Sequence, residues 1–160
     1  MSVQGPIVIT GASSGIGAAC ARYLDALGFT VWACVRNAQD GEALTGPASS
    51  RLRVLLLDVT DPASIEAART MLAEATRDTG LGGLVNNAGI SVAGPLELLP
   101  LSEVRTQFEV TVIGVLAVTQ ALLHCCGGRA GGSSTSVRSP ALRPRRFSAP
   151  TAVRSLRWRR

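Results

Sequence analysis

Residues 6–17 read Pro-Ile-Val-Ile-Thr-Gly-Ala-Ser-Ser-Gly-Ile-Gly. Pro6 to Thr10 is a short β-branched apolar run, the pattern of a buried strand. The glycines from Gly11 to Gly17 punctuate it. From Gly15 to Leu27 the apolar residues Ile16, Cys20, Tyr23, Leu24 and Leu27 fall at three- and four-residue steps, which predicts a helix with Tyr23 packed and Gly28 ending it. A strand, a glycine turn and a helix in succession make a seat for a phosphate. The first amides of a helix have no partner inside it, its dipole is positive at that end, and glycines let a ligand approach the backbone. Gly11, Ser13, Ser14, Gly15, Ile16 and Gly17 are therefore candidate ligand contacts. A tight turn with no ligand would also use glycines, but it would not need a strand before and a helix after. The G-x-G-x-x-G spacing of dinucleotide sites is absent; the spacing here is T-G-x-x-x-G-I-G.

Outward from this stretch the chain continues to alternate. Thr30 to Val35 predicts a second strand, and Leu52 to Leu57 a third. Asn37 to Ser50 is polar and irregular, with room for one short helix. Asp61 followed by Pro62 marks a helix start that should run through Thr76. Leu81 to Asn86 predicts a fourth strand despite two glycines. Gly89 to Pro100 reads as a loop, and Ser102 as the cap of a long helix to His124. Strands alternating with helices predict an α/β fold, a Rossmann-type doubly wound parallel sheet of order 3-2-1-4, with helices on both faces and the ligand site at the strands' carboxyl ends.

Composition divides the chain in two. Residues 1–128 hold all 11 acidic groups and seven arginines; residues 129–160 hold nine arginines and no acid. Every basic residue is arginine, and there is no lysine. The first part, 1–126, reads as a nucleotide-binding domain. Residues 127–160, rich in Gly, Ser, Arg and Pro without helical or strand period, read as a tail with no core of its own, hence disordered. The four cysteines, Cys20, Cys34, Cys125 and Cys126, have neither metal-ligand nor disulfide-framework spacing. They suit reduced thiols in a cytoplasmic protein, Cys20 and Cys34 in the core. With His124 the single histidine, neither a His-based metal site nor a Ser/His/Asp triad is expected. No apolar run approaches the ~20 residues of a membrane span, and no secretory signal is recognisable.

Three motifs in order carry a family resemblance. Thr10 to Gly17 resembles the TGxxxGIG loop of the short-chain dehydrogenases/reductases, and Asn86-Asn87-Ala88-Gly89 resembles that family's NNAG segment. Leu57-Asp58-Val59-Thr60 is similar to its Asp-Val pair beside the adenine. The likeness covers residues 5–124. It implies that Asn87, Ala88 and Gly89 lie on the ribose and nicotinamide side of a dinucleotide, and Asp58 and Val59 beside its adenine. It also implies hydride transfer between the cofactor and a small-molecule alcohol or carbonyl. The end of the second strand bears on which dinucleotide. NAD-preferring relatives place an acid there for the ribose 2′-hydroxyl. Here Val35 stands in that place and Arg36 follows, and a guanidinium suits a 2′-phosphate. The expected cofactor is NADP(H), with NAD(H) as the alternative; Arg36 as a solvated loop residue is the competing reading.

The family's catalytic residues have no credible counterpart. They are a tyrosine, a lysine four residues on, a serine and an asparagine in the long helix. An unassisted tyrosine, pKa ~10, is a poor base near neutrality. Here the one tyrosine is Tyr23, Tyr-x-x-x-Lys cannot be written anywhere, and Thr111 stands at the asparagine's place. No catalytic residue is therefore assigned, and the chain is expected to be inactive. The tail offers a cause. Codons for Pro150 to Arg160, read from the third base of each triplet, allow Tyr-Cys-Gly-Ser-Lys-Phe-Ala-Val-Glu-Ala. The same shift across Ala130 to Ala141 allows Arg-Arg-Ile-Val-Asn-Val-Ser-Ser-Val-Ser-Gly. Two family-like motifs in one alternative frame point to a slip near His124; a genuine divergent tail is the alternative.

Three functions follow: an oxidoreductase by ancestry, a catalytically silent NADP(H)-binding protein, and a nucleic-acid or anionic-membrane binder acting through the arginines. The last is disfavoured, since only Phe147 and Trp158 are available for stacking and no known module surrounds them. Neither specific nucleic acid nor membrane is expected as a partner. The apolar residues of the 102–124 helix suit a homo-oligomer contact and suit core packing equally well.

Overall fold

A computed structural model of the protein describes residues 5–46, 48–123 and 125. The expectations for the 127–160 tail, for His124 and for Cys126 lie outside them. Four parallel strands, β1 (Ile7–Ile9), β2 (Val31–Val35), β3 (Leu52–Leu56) and β4 (Gly83–Val85), form one sheet of order β3-β2-β1-β4. This is the expected Rossmann-type order. The crossover helices are α1 (Gly15–Ala26), α2 (Ala38–Thr45) and α3 (Pro62–Ala75). Beyond β4 come a single 3-10 turn (Leu96–Leu98), α4 (Leu101–Phe108), a π-helical turn (Glu109–Ile113) and α5 (Gly114–Leu123).

The two-residue period of the strands separates two cores. From β2, Val31 and Ala33 point to one face, where Ala18 and Ala21 of α1 and Leu44 of α2 pack with Ile9 and Leu52. Trp32 and Cys34 point to the other, where Ile65 and Leu72 of α3 and Val118 and Leu122 of α5 close over Val8, Leu55 and Leu84. All five residues of β2 are buried, as a parallel strand covered on both faces requires. At its start α3 follows expectation: Asp61 caps it, its carboxylate accepting the Ala63 N–H at 3.0 Å, with Pro62 in the first turn.

Three local expectations are corrected. First, Ile16, Tyr23 and Leu27 lie on the outer side of α1 and are exposed, so Tyr23 does not pack. The buried side is Gly17, Ala18, Ala21 and Asp25: small residues bring the helix axis close to the sheet, and the larger Ile16, Tyr23 and Leu27 of the periodic stripe face outward. Second, the last helix begins at Leu101 with Pro100, not Ser102, in the capping position; the Pro100 carbonyl accepts the Glu103 and Val104 N–H groups. Third, β4 is shorter than its apolar pattern because Leu81 and Gly82 serve other partners. Leu81 N–H donates to the Cys125 carbonyl and Gly82 N–H to the Pro6 carbonyl, both at 2.9 Å. A β-carbon on Gly5 would stand 2.7 Å from Gly82 N, so the glycines permit a close crossing of backbones. The Leu101–Leu123 helical run also has the length and mean hydropathy, 1.5, of a membrane span; in this fold its Gly114, Val118 and Leu122 are buried in the protein.

Candidate cofactor site

At the carboxyl end of β1 the chain turns through Gly11 at φ +64° and Gly15 at φ +56°, a left-handed region that other L-residues enter at a cost. Ser13, Ser14, Gly15 and Ile16 are exposed, while Gly17 is buried. Ser14 occupies the capping position of α1 without a side-chain cap bond. The first backbone bond into this turn is Ala18 N–H to the Ser14 carbonyl at 3.3 Å. The amides of Gly15, Ile16 and Gly17 thus precede the helix's own bonding, as first-turn amides do. A β-carbon on Gly15 would meet nothing within 4 Å. The result is a solvent-open cradle with amides on its floor, and an anionic phosphate group fits it by chemistry and by space.

The cradle is braced from β4, the neighbour of β1. Thr10 is buried, and its hydroxyl accepts the N–H groups of Asn87 and Ala88, each at 3.0 Å. The Asn87 side-chain amide donates to the carbonyls of Thr10 (3.0 Å) and Gly11 (2.9 Å). A β-carbon on Gly11 would stand 2.7 Å from Ala88 Cα, and one on Gly17 would collide with Asn87 Nδ2 and the Gly11 carbonyl. Asn87 and Ala88 therefore spend these donors on the glycine loop itself. Gly89, exposed, continues the same segment outward.

On the other flank, Arg36 directly follows β2 and is exposed. The β2 backbone reaches the cradle as well, since Ala12 N–H donates to the Cys34 carbonyl at 2.9 Å. The Cys34 thiol is fully buried, which pushes its pKa up to about 12 and keeps it protonated. Asp58, after β3, accepts from the Thr60 N–H (2.9 Å) and hydroxyl (2.7 Å). These bonds, with a smaller contribution from the Arg36 charge, hold its carboxyl below the usual range. Ser64 fixes its backbone, with the Asp58 N–H donating to Oγ at 2.9 Å. Val59 is placed differently from the other candidates. Its side chain is buried in the core, where a β-carbon on Gly114 would stand 2.8 Å from Cγ2 and 2.9 Å from the Val59 carbonyl oxygen.

The sheet order explains how this set assembles. Arg36 and Asp58 end β2 and β3, the glycine loop ends β1, and Asn87 to Gly89 end β4, so the candidates lie along one edge of the sheet in the sequence β3-β2-β1-β4. Two features escaped sequence reading: the role of Thr10 as acceptor, and the π turn. Within that turn the Thr111 hydroxyl donates to the Gln107 carbonyl at 2.5 Å, and its methyl carbon lies 3.6 Å from where a Gly89 β-carbon would be. Thr10 was legible only in the fact that it immediately precedes Gly11. The π turn left no sequence trace beyond Gly114 in a helix interior.

Comparison with known proteins agrees with this geometry. The short chain dehydrogenase family model matches residues 6–148, past residue 126 and into the arginine-rich segment. Human retinol dehydrogenase 16 is 45% identical over 118 residues, covering 73% of this chain and 37% of that protein. Sheep (Ovis aries) 11-beta-hydroxysteroid dehydrogenase type 2 is 43% identical over 138 residues, 84% of this chain and 32% of that one. The chain thus spans about a third of the length of these curated relatives. Among solved structures, NADPH-bound carbonyl reductase from chicken fatty liver superposes with a TM-score of 0.69 at 33% identity, covering 75% of this chain and 47% of the other. With three motifs placed together at one edge of the sheet and a family match over most of its length, this chain belongs to the short chain dehydrogenase family of oxidoreductases.

Proposed function

We propose that the chain binds NADP(H) across the carboxyl edge of its sheet and holds it without turnover. The observation that carries the reading is the open cradle at Gly15, floored by unengaged first-turn amides and flanked by the exposed Arg36. In this reading the amides of Gly15 to Gly17 and the Ser13 and Ser14 hydroxyls receive the pyrophosphate. Arg36 pairs with the adenosine 2′-phosphate by charge-assisted hydrogen bonds. Asp58, held ionised by Thr60, accepts from the adenine amino group, while Val59 contributes its backbone. Gly11 keeps the loop close to Ala88, and Asn87 ties it to the end of β4. With the adenosine end over β2 and β3, the nicotinamide half extends the other way, over Ala88 and Gly89 at the end of β4. The NADPH-bound chicken carbonyl reductase supports this choice of cofactor.

The bound cofactor supplies a hydride at the nicotinamide ring in oxidoreductases of this family. Among the described residues, the family's tyrosine proton donor has no counterpart. Tyr23 stands exposed on the outer side of α1, and the sequence has no lysine to depress a tyrosine pKa. An arginine does not substitute, because it does not deprotonate. Thr111 has committed its hydroxyl proton to the Gln107 carbonyl. Titration of the purified chain with NADPH and NADH, followed by nicotinamide fluorescence, tests the reading. Tighter binding of NADPH, with no oxidation of it on adding aldehydes or ketones, is the expected outcome. Preference for NADH, or no affinity for either in a folded sample, overturns it.

A further inference from the structure

Resting on that reading, the segment that must meet the nicotinamide half is the chain leaving β4, residues 89–100. Its crest is thinly supported: Leu96 is 85% and Leu98 73% exposed. Near its base, Val92 is half-buried and its N–H donates to Gln107 Oε1 on α4 at 2.9 Å. Gln107 is itself anchored, since its carbonyl accepts the Thr111 hydroxyl at 2.5 Å and Thr111 faces Gly89. One side-chain oxygen therefore joins the loop to the helix at Val92, the residue after the exposed Ser91 and three after the exposed Gly89. The neighbouring turns of the loop bond only locally, as Leu98 N–H does to the Pro95 carbonyl.

We propose that Gln107 is a positioning residue for the nicotinamide half of the cofactor: its amide oxygen holds Val92, and through it Gly89 to Ser91, at the height that half requires. Gln107 makes no contact with the ligand in this proposal. Its effect is therefore confined to the β4 side of the site and leaves the Arg36 and Asp58 side untouched. This separates it from a general contribution to folding, which would weaken both halves alike.

The experiment compares NADPH with 2′,5′-ADP, which carries the adenosine and 2′-phosphate but no nicotinamide, on the full chain and on Gln107→Ala and Gln107→Glu. Loss of one hydrogen bond corresponds to about a tenfold rise in the NADPH Kd for Gln107→Ala, with 2′,5′-ADP affinity unchanged. Gln107→Glu retains an acceptor for the Val92 N–H and should bind NADPH like the original chain. The proposal is overturned if Gln107→Ala weakens both ligands equally, if it weakens neither, or if Glu fails to rescue. It is also overturned if the unmodified chain binds 2′,5′-ADP as tightly as NADPH, a result that would leave the adenosine side of the cofactor reading standing. If the unmodified chain binds neither ligand, the cofactor reading itself fails and this proposal with it.

Discussion

Thr10 and Asn87 exchange hydrogen bonds across the ends of β1 and β4: the Thr10 hydroxyl accepts the Asn87 N–H at 3.0 Å, and the Asn87 side chain donates to the Thr10 carbonyl at 3.0 Å. The same hydroxyl takes the Ala88 N–H. Replacing Thr10 by valine keeps the shape and the β-branch but strands two backbone donors in a buried position. Each stranded donor costs about 1–3 kcal/mol, so Thr10→Val should lose about 2–6 kcal/mol of a stability of order 5–15 kcal/mol. Thr10→Ser, which keeps the oxygen, should lose much less. Urea unfolding of the two variants decides it; a Val variant within half a kcal/mol of the original would remove the brace.

In the proposed reading, Arg36 carries the choice between the two dinucleotides. It is exposed and directly follows β2, so its removal should spare the fold. A charge-assisted hydrogen bond contributes about 1.5–3 kcal/mol, which predicts an NADPH Kd about 10- to 100-fold higher for Arg36→Ala. NADH affinity should stay within about twofold, because NADH presents no 2′-phosphate to lose. Parallel titrations at constant ionic strength make the comparison. Equal weakening of both cofactors would place Arg36 in a general electrostatic role instead.

At the opposite end of the sheet a buried acid ties the end of α1 to the loop before β3. Asp25, near the end of α1, accepts from the Ser49 hydroxyl and, at 2.9 Å, from the Ser49 N–H, with Arg51 Nε 3.8 Å away. The Ser49 hydroxyl, then its N–H, then the Arg51 charge hold the carboxyl below its ordinary value. A group whose pKa is lower folded than unfolded stabilises the fold above its unfolded value, about 3.9, and that contribution fades as pH falls through the folded one. Unfolding midpoints should therefore be flat in this respect from pH 7 to about 5 and fall below about 4. Asp25→Asn should be less stable at pH 7 and show a shallower fall in acid. Parallel acid limbs for both proteins would assign the loss to other carboxylates.

The legible and illegible parts of this molecule differ in what fixes them. Strand order and the cradle could be read because Ile7 to Ile9, Val31 to Val35 and the glycines between Gly11 and Gly17 each act through local backbone preference and burial. The inner face of α1 could not, since Ala18, Ala21 and Gly17 are chosen for smallness against a neighbour, and the larger Ile16, Tyr23 and Leu27 carry more apparent hydrophobicity while facing out. Pairings across long sequence distance were equally hidden. Nothing near Gly114 announces Val59, which it must approach to 3.0 Å or less if a β-carbon is added, and nothing near Val92 announces Gln107. The candidate residues were named as motifs; their different placements, with Asn87 and Ala88 turned inward to the loop and Val59 to the core, required the fold.

The last prediction concerns nucleotides. If residues beyond His124 are read in a slipped frame, the gene's sequence opposite Ala130 to Arg160 contains, from the third base of each triplet, an uninterrupted frame with a serine pair and then Tyr-x-x-x-Lys. The mixture of residues favours this over drift. Seven arginines among 11 acids up to residue 128 give way to nine arginines and no acid, an abrupt change that gradual substitution does not produce. Restoring the frame by one base should then return a lysine beside a tyrosine, the charge a phenol needs to work as a base near neutral pH. The restored protein should oxidise NADPH with carbonyl compounds, in contrast to the turnover-free binding proposed for the present chain. Stop codons in that frame, or an intact frame without the tyrosine and lysine, would establish the arginine-rich segment as the chain's own.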